Sequence, residues 1–342
     1  MKLIVLNSIN DAEWNEKICS FGGSIFHSTN WADYNISLTP SLCPQYFCLY
    51  SDENYLLGVA LGFTEASKNK IVAKVMKRLN FDSYPLVKES DSQLYADFID
   101  KIKRYAKDNG YVEIYFGSFA SFDISDVYLE LGFEITRRLE FCIDISKSTE
   151  IIWGNIGSKR RNTIRKAIKS GVVVENLPFE TGIHELRRLQ EATAKRILDR
   201  GGPDITPKSS KMSDPLESLM SAGVGFIMAA KINGVYESVC FYTFFNGIVY
   251  YMLAGHSKVA FESQAPTLLL WEGILTFRNM GAKIFNLGGC REDAAEHSSQ
   301  EHGVYSFKKL LCSTPQHCAS GKIIVNKLKH KIYNFALSRF KK

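Results

Sequence analysis

Apolar and polar positions change period several times along the chain, and each change marks an element. Residues Met1 to Trp14 (MKLIVLNSINDAEW) begin with a short apolar run that breaks at Asn7, Asn10 and Asp11. That pattern predicts a first strand, not a leader peptide. Phe26-His27-Ser28-Thr29-Asn30-Trp31 leads into a short helix. Gln45 to Tyr50 and Tyr55 to Thr64 read as two strands of a hairpin turning at Ser51-Asp52-Glu53-Asn54. Between Asp91 and Asp108 the period lengthens to that of a helix, with Leu94, Tyr95, Phe98, Ile102, Tyr105 and Ala106 on one side and a stop at Asn109-Gly110. Tyr111 to Phe116 is a strand, and Leu131-Gly132-Phe133-Glu134 turns into another that ends near Asp144. Ser146 to Thr149 is a polar joint.

The second half repeats this plan. Phe226 to Ala230 and Val235 to Phe245 form a hairpin around Asn233-Gly234, and Ile248 to Ala254 adds a third strand. Pro266 opens a helix that runs through Leu268, Trp271, Leu275 and Phe277 to Met280-Gly281, and Ala282 to Leu287 follows as a strand. In each half a helix-ending glycine precedes a strand-ending glycine by the same interval: Gly110 and Gly117, then Gly281 and Gly288. The matching pairs lie half the chain apart, which predicts two copies of one unit: a meander of strands, a helix, then a strand.

Composition fits that division. A chain of 342 residues that is 45% hydrophobic and 23% charged is a globular protein of two domains. No apolar run approaches a membrane span, so a cytoplasmic location is expected. The net charge of +6 is unevenly placed. No acid follows Glu301, whereas Lys308 to Lys342 supplies nine Lys/Arg, leaving 33 basic against 36 acidic residues elsewhere. A localised anionic partner fits this better than a surface that coats nucleic acid, and the basic residues lack interleaved aromatics for base stacking. The eight cysteines form no CxxC pair, which points to free thiols in a reducing compartment.

The other basic block is the stretch GSKRRNTIRKAIKSG, Gly157 to Gly171, with six Lys/Arg and no acid. Ser158 is placed to cap a helix that Gly171 ends in a left-handed turn. Ile164, Ala167 and Ile168 would share an apolar face, with Arg161, Arg165 and Lys169 in a stripe beside it. Arg160 falls nearly on the apolar face, where a cation needs an anionic partner. Two readings stay open: a solvated basic helix, or a clamp for phosphates or a carboxylate at a cleft between domains.

The order hairpin, helix, strand, turn, strand resembles the GNAT acyltransferase unit, and Val127 to Ile135 (VYLELGFEI) resembles its late Y-x-x-x-G-F element. The whole chain resembles the FemA/FemB-type (FemABX) family of tandem-GNAT transferases and their relatives in cell-envelope polysaccharide loci. The residues that carry this are Trp31, Trp153 with the RRNTIRKAIKSGV helix, YYMLAGHS (Tyr250 to Ser257), the helix start from Pro266 to Trp271, the run from Gly281 to Gly289, and GVYSFKKLL (Gly303 to Leu311). The resemblance implies an α/β (α+β) fold of two tandem GNAT-like domains with mixed central sheets, at 1–147 and 148–321, then a basic terminal helix over 322–342. It implies a cytoplasmic N-acyltransferase, with a peripheral position at the inner face of the membrane as the variant. It would move an acyl or aminoacyl group from acyl-CoA or aminoacyl-tRNA to a primary amine of a nucleotide- or lipid-linked peptidoglycan or polysaccharide precursor, with no tightly bound cofactor. By the same resemblance Tyr250 to Gly255 and Ile284 to Gly289 surround the reaction, where two parallel strands splay.

Within that frame Lys308 is the first functional cation. Glu292 and Asp293 are the candidate bases, with His256, Tyr251 and Tyr305 as alternates, and Tyr251 counts among the catalytic candidates. Arg160, Arg161, Arg165, Arg291, His256 and the pair Gly288-Gly289 would bind substrate or phosphate. The chain departs from the acetyl-CoA pattern at SKVAFESQAPTLLL, which has no glycines to cradle a pyrophosphate, and Pro266 removes an amide there. Nor does the second half carry an inserted helical hairpin of the kind that would bind tRNA. His297, His302, Cys290, Cys312, His317 and Cys318 fit no zinc spacing, so no metal is expected. Glu292 to His302 reads as a loop over substrate. The terminal helix would dock on the body or reach anionic lipid headgroups. The rival to an enzyme is a non-catalytic module that binds an anionic nucleotide- or lipid-linked glycan.

Overall fold

The computed structural model describes residues 1–65, 77–120, 122–199, 201, 214–309, 311 and 315–332. The chain divides into two compact units, Met1–Leu139 together with the chain from Gln316 on, and Glu140–Pro315.

The first unit contains β1 (Lys2–Leu6), α1 (Asp11–Ser20), α2 (Thr29–Leu38), β2 (Leu42–Tyr50), β3 (Leu56–Glu65), β4 (Arg78–Ser83), β5 (Leu86–Val87), α3 (Ser92–Asp108), β6 (Glu113–Phe119) and α4 (Ser125–Glu130). It ends in the first part of β7 (Glu134–Asp144). The expected helix forms because Asp91 caps it, accepting from the Leu94 amide at 3.0 Å, and because Tyr95, Phe98, Ile99, Ile102 and Ala106 bury one stripe. Gly110 then stops it at φ +74°. Its buried stripe packs into a core with Phe47, Phe81, Phe116 and Tyr128.

Strand order in this sheet is β1-β2-β3-β4-β6, followed by β13 (Gln316–Ile324) from the far end of the chain. Only β4 and β6 are parallel among these neighbours. They stay paired from Arg78↔Glu113 through Ser83↔Phe119, with one irregularity between Phe81 and Ser83. Phe81 and Phe116 stack at 4.4 Å, and a Cβ on Gly117 would lie 2.3 Å from the Asp82 carbonyl oxygen. In the first unit the two parallel strands are therefore packed shut. Lys322 to Ile324, expected to begin the terminal helix, belong to β13 instead: Ile323 and Ile324 pair with Ile114 and Glu113. Residues 327–332 are helical, and Phe335 and Phe340 lie outside the described residues.

The second unit holds the rest of β7, α5 (Thr149–Asn155), α6 (Ser158–Lys169), β8 (Val173–Leu177), α7 (Phe179–Leu198), α8 (Leu216–Ser221), β9 (Gly225–Ile232) and β10 (Val235–Phe245). It continues through β11 (Ile248–His256), α9 (Lys258–Glu262), α10 (Ala265–Asn279), β12 (Ile284–Arg291) and α11 (His302–Lys309). The sheet runs β12-β11-β10-β9-β8, with β11 and β12 parallel and the other neighbours antiparallel. Helix α10 buries Leu268, Leu269, Leu270, Ile274 and Phe277, so it is a core helix apolar on most of its faces.

The basic stretch is α6. Gly157 occupies its cap position and Ser158 is already its first helical residue, without a side-chain cap bond. Gly171 follows at φ +75°, as expected of a helix stop. Ile164 and Ala167 are buried, but Ile168 is 56% exposed, so the apolar stripe is narrower than its spacing predicts. The expected split between a solvated face and an inward Arg160 is present: Arg165, Lys166 and Lys169 are exposed and Arg160 is buried.

Candidate functional site

The site is built where β11 and β12 part. Their parallel register runs Ile248↔Ile284, Val249↔Phe285 and Tyr250↔Asn286, and ends there, although β11 continues to His256 and β12 to Arg291. Two local features fix that point. Gly288 adopts φ +71°, a conformation in which an L side chain is strained, and this bends β12 away. Its amide donates to Asn286 Oδ1 at 2.7 Å. Asn286 Nδ2 in turn donates to Glu140 Oε2 at 2.9 Å, and the Tyr250 hydroxyl donates to Glu140 Oε1. Glu140, only 2% exposed, thus holds both members of the last register pair. Reading the sequence did not find it. The available signal was a lone carboxylate within the apolar strand run Leu139 to Ile143.

A cavity of about 460 Å³ opens beside the splay. Tyr251 and His256 contribute from β11, Phe261 from α9, Pro266 and Leu270 from α10, Leu287 from β12, and Gly303, Val304, Phe307 and Lys308 from α11. Its walls are mostly hydrocarbon and aromatic, the common character of a small-molecule site. Lys308 brings the charge. Its Nζ donates to the Gly289 carbonyl at 2.9 Å and lies 3.5 Å from where a Cβ on Gly288 would be, so the glycine pair and the lysine form one group.

Two further expected residues line the same cavity. The His256 ring nitrogen Nδ1 lies 2.7 Å from Ser238 Oγ, while the His256 carbonyl accepts from Arg196 at 2.7 Å. Burial first, and the nearby Arg196 charge second, lower the imidazole pKa to about 4, so it is neutral at pH 7. Tyr251 presents to the cavity from beside Cys240 and Tyr242. Burial, then the neighbouring Cys240 thiol, push its phenol well above its usual range, which keeps it protonated.

The remaining expected residues are placed differently. Glu292 and Asp293 are exposed in a 3₁₀ turn beyond β12 and do not line the cavity. Asp293 pairs with Arg291 at 3.0 Å in solvent. Arg161 turns back to α5, donating to the carbonyls of Trp153, Gly154 (3.1 Å) and Ile156. It therefore satisfies orphan carbonyls at a helix end. Arg165 is exposed and lies over the Trp153 ring at 5.5 Å.

Arg160 is 8% exposed and donates to Thr267 Oγ1 at 2.8 Å. Its guanidinium sits 5.0 Å from the centre of the Phe307 ring, the ring that walls the cavity. The anionic partner that its position called for is not there: no carboxylate among the described residues pairs with it, and its Nε has no hydrogen-bond partner. Burial pushes its pKa down. Among the described residues no cluster of three His, Cys, Asp or Glu side chains is placed to hold a metal ion, and Cys312 lies outside them.

Family models and curated proteins give no match to the sequence. Solved structures do. The structure described as FemX superposes with a TM-score of 0.73 at 14% identity, covering 97% of this chain and 99% of that one. The C-terminal domain of a putative lysylphosphatidylglycerol synthetase from Agrobacterium fabrum gives 0.56 at 12%, over 93% of this chain and 94% of the other. A tandem GNAT protein from the clavulanic acid biosynthesis pathway gives 0.53 at 10%, over 95% and 99%. The fold is FemABX-like tandem GNAT. In a tandem-GNAT frame the splay of β11 from β12 is the element that the resemblance pointed to at Tyr250 to Gly255 and Ile284 to Gly289. No helix among the described residues is long and apolar enough to cross a membrane.

Proposed function

We propose that the chain is an N-acyltransferase, joining an acyl or aminoacyl group to a primary amine of a cell-wall or surface-polysaccharide precursor. The observation that carries this reading is Lys308, fixed by Gly289 in a mostly apolar cavity at the point where two parallel strands part. The amine nitrogen attacks the donor carbonyl carbon, the carbonyl oxygen takes up negative charge, and the leaving sulfur or oxygen departs with the bonding pair. Lys308 stabilises that oxyanion in a low-dielectric setting, where a positioned cation is most effective. Tyr251, which keeps its proton, hydrogen-bonds to the leaving group and relays to it the proton that the amine gives up. Neutral His256, too weak a base to hold that proton, is suited to orienting the amine or a water that carries the proton on. Arg160, with an unpartnered Nε–H, is the member of the basic helix suited to an anionic group of donor or acceptor. Glu292, Asp293 and Arg291 act, in this reading, on the part of the acceptor that extends beyond β12.

The donor is acyl-CoA or aminoacyl-tRNA, used as a co-substrate. The acceptor is a nucleotide- or lipid-linked precursor, for which the basic residues from Lys322 onward would supply membrane or phosphate attraction. In this reading the chemistry lies in the second unit, Glu140–Pro315.

A second reading has its own observation. At the start of α10, Gln264 is left-handed at φ +66° and Pro266 follows, where an acetyl-CoA-type loop would offer glycine amides. This favours a non-catalytic module that binds an anionic glycan. Incubating the protein with acyl-CoAs and charged tRNAs, together with UDP-linked amino sugars and muropeptides, separates the two. A product heavier by one acyl or aminoacyl group supports the enzyme, and binding without any mass change supports the module.

A further inference from the structure

We infer that the cavity beside Lys308 holds an apolar acyl chain, and that the donor is a thioester whose acyl group carries no ammonium. The inference rests on the acyltransferase reading and narrows its donor.

Two observations carry it. The first is the charge inventory of the wall. Among the described residues that line the cavity, Lys308 alone carries a formal charge at pH 7, since His256 is held neutral and no Asp or Glu is among them. An aminoacyl group would bring an α-ammonium into this space. It would find a like charge on Lys308 and no carboxylate on the described wall, and a cation held against a mostly apolar surface beside another cation is disfavoured. A plain acyl chain incurs no such cost. The second observation is size against chemistry. At about 30 Å³ for a water-sized group, about 460 Å³ holds on the order of ten to fifteen non-hydrogen atoms. An acetyl group would leave most of the Leu270, Leu287, Val304 and Phe307 surface against water. A longer chain covers it, and each buried methylene adds about fourfold in affinity.

The reaction balances without another reactant. The amine lone pair attacks the thioester carbonyl, a C–N bond forms, the C–S bond breaks, and the thiolate takes the proton that the amine gives up. The products are an amide and a free thiol. The pantetheine arm that carries the thioester could belong to CoA or to a carrier protein, and the test includes both.

Turnover of the full-length protein is measured with an acyl-CoA series from acetyl to palmitoyl, with the same acyl groups on a phosphopantetheinylated carrier protein, and with charged tRNAs. The acceptors are a mixture of UDP-linked amino sugars and muropeptides, with products read by mass. The expected result is a kcat/KM that climbs by more than about tenfold from acetyl to a chain of intermediate length, with one carrier preferred. Val304→Trp, at a 44% exposed position on the wall, should move the optimum to shorter chains. Val304→Phe is the smaller filler if the Trp variant fails to fold. Transfer from charged tRNA or acetyl-CoA with no gain for longer chains overturns the inference and leaves the acyltransferase reading standing. No transfer from any donor overturns both.

Discussion

Glu140 is the buried carboxylate that pins the splay, and removing it is a direct probe of how the site is held open. Glu140→Ala leaves Tyr250 Oη and Asn286 Nδ2 without the acceptor they share. Each hydrogen bond to a charged group contributes about 1.5–3 kcal/mol, and each buried donor left unsatisfied costs about 1–3 kcal/mol. Those ranges describe the same loss from two sides, so the two bonds together are worth about 3–6 kcal/mol. Glu140→Gln keeps one acceptor oxygen but turns an amide N–H₂ toward the other donor, for about half of that cost. Hydrogen exchange read by mass spectrometry reports the effect locally. Peptides covering β11 and β12 should exchange about 10²–10⁴ times faster in Glu140→Ala, and peptides from β2 and β3 of the first unit serve as the control. Turnover should fall in the same order, Ala below Gln below wild type. If β11 and β12 exchange at the wild-type rate in Glu140→Ala, the carboxylate does not set the splay and the reasoning fails.

Two other variants separate structure from function. Arg161→Ala should fray the end of α5, at a cost of about 1–2 kcal/mol, because three carbonyls lose their donor. Its donor KM should stay within about twofold of wild type, and a large rise in KM would return Arg161 to the anion-binding set. His27 concerns acid stability. It is 2% exposed, Nδ1 accepts from the Ser24 amide, and Nε2–H then donates to the Tyr84 carbonyl at 3.0 Å. Burial lowers its pKa from 6.5 to about 4, so the unfolded chain binds the proton more readily than the folded one. The stability this group contributes is full above pH 6.5 and is lost as pH falls toward 4, by about 3 kcal/mol in all. Urea titrations between pH 7 and 4.5 should show that loss together with a similar one from His256, and His27→Gln should reduce the slope by about half. An unchanged pH slope would mean that the imidazole is already charged in the folded protein.

Much of the repeated fold was legible from periodicity. The helix Ser92–Asp108, both hairpins and the two parallel strands lie where spacing and turn residues put them, although β6 and β12 run on through Gly117 and Gly288 instead of ending there. Their signals are local: a cap, a stop, an alternation. What was not legible depends on distant partners. Strand β13 alternates poorly and closes a sheet whose other members lie 200 residues earlier in the chain, so nothing near Lys322 announces that it will pair with Tyr115. Helix α7, 20 residues long, mixes Arg and Glu through its buried positions Gly182, Leu186, Leu189 and Ala194 and hides its stripe. At the site, the Gly288 and Lys308 relation was readable because each belongs to a recognisable run. Glu140 was not, since its partners are 110 and 146 positions away. The inward direction of Arg160 followed from helical spacing, but its actual partners, Thr267 and the face of Phe307, required the fold.

The account turns on Lys308, and the turnover of Lys308→Met on the best donor and acceptor pair tests it most directly. The substitution keeps an unbranched stem on the cavity wall and removes the ammonium bound to Gly289. Loss of one preorganised oxyanion donor predicts a fall in kcat of about 10²–10³ with KM for the donor nearly unchanged. A variant that folds with wild-type melting temperature and turns over at the wild-type rate would contradict the account.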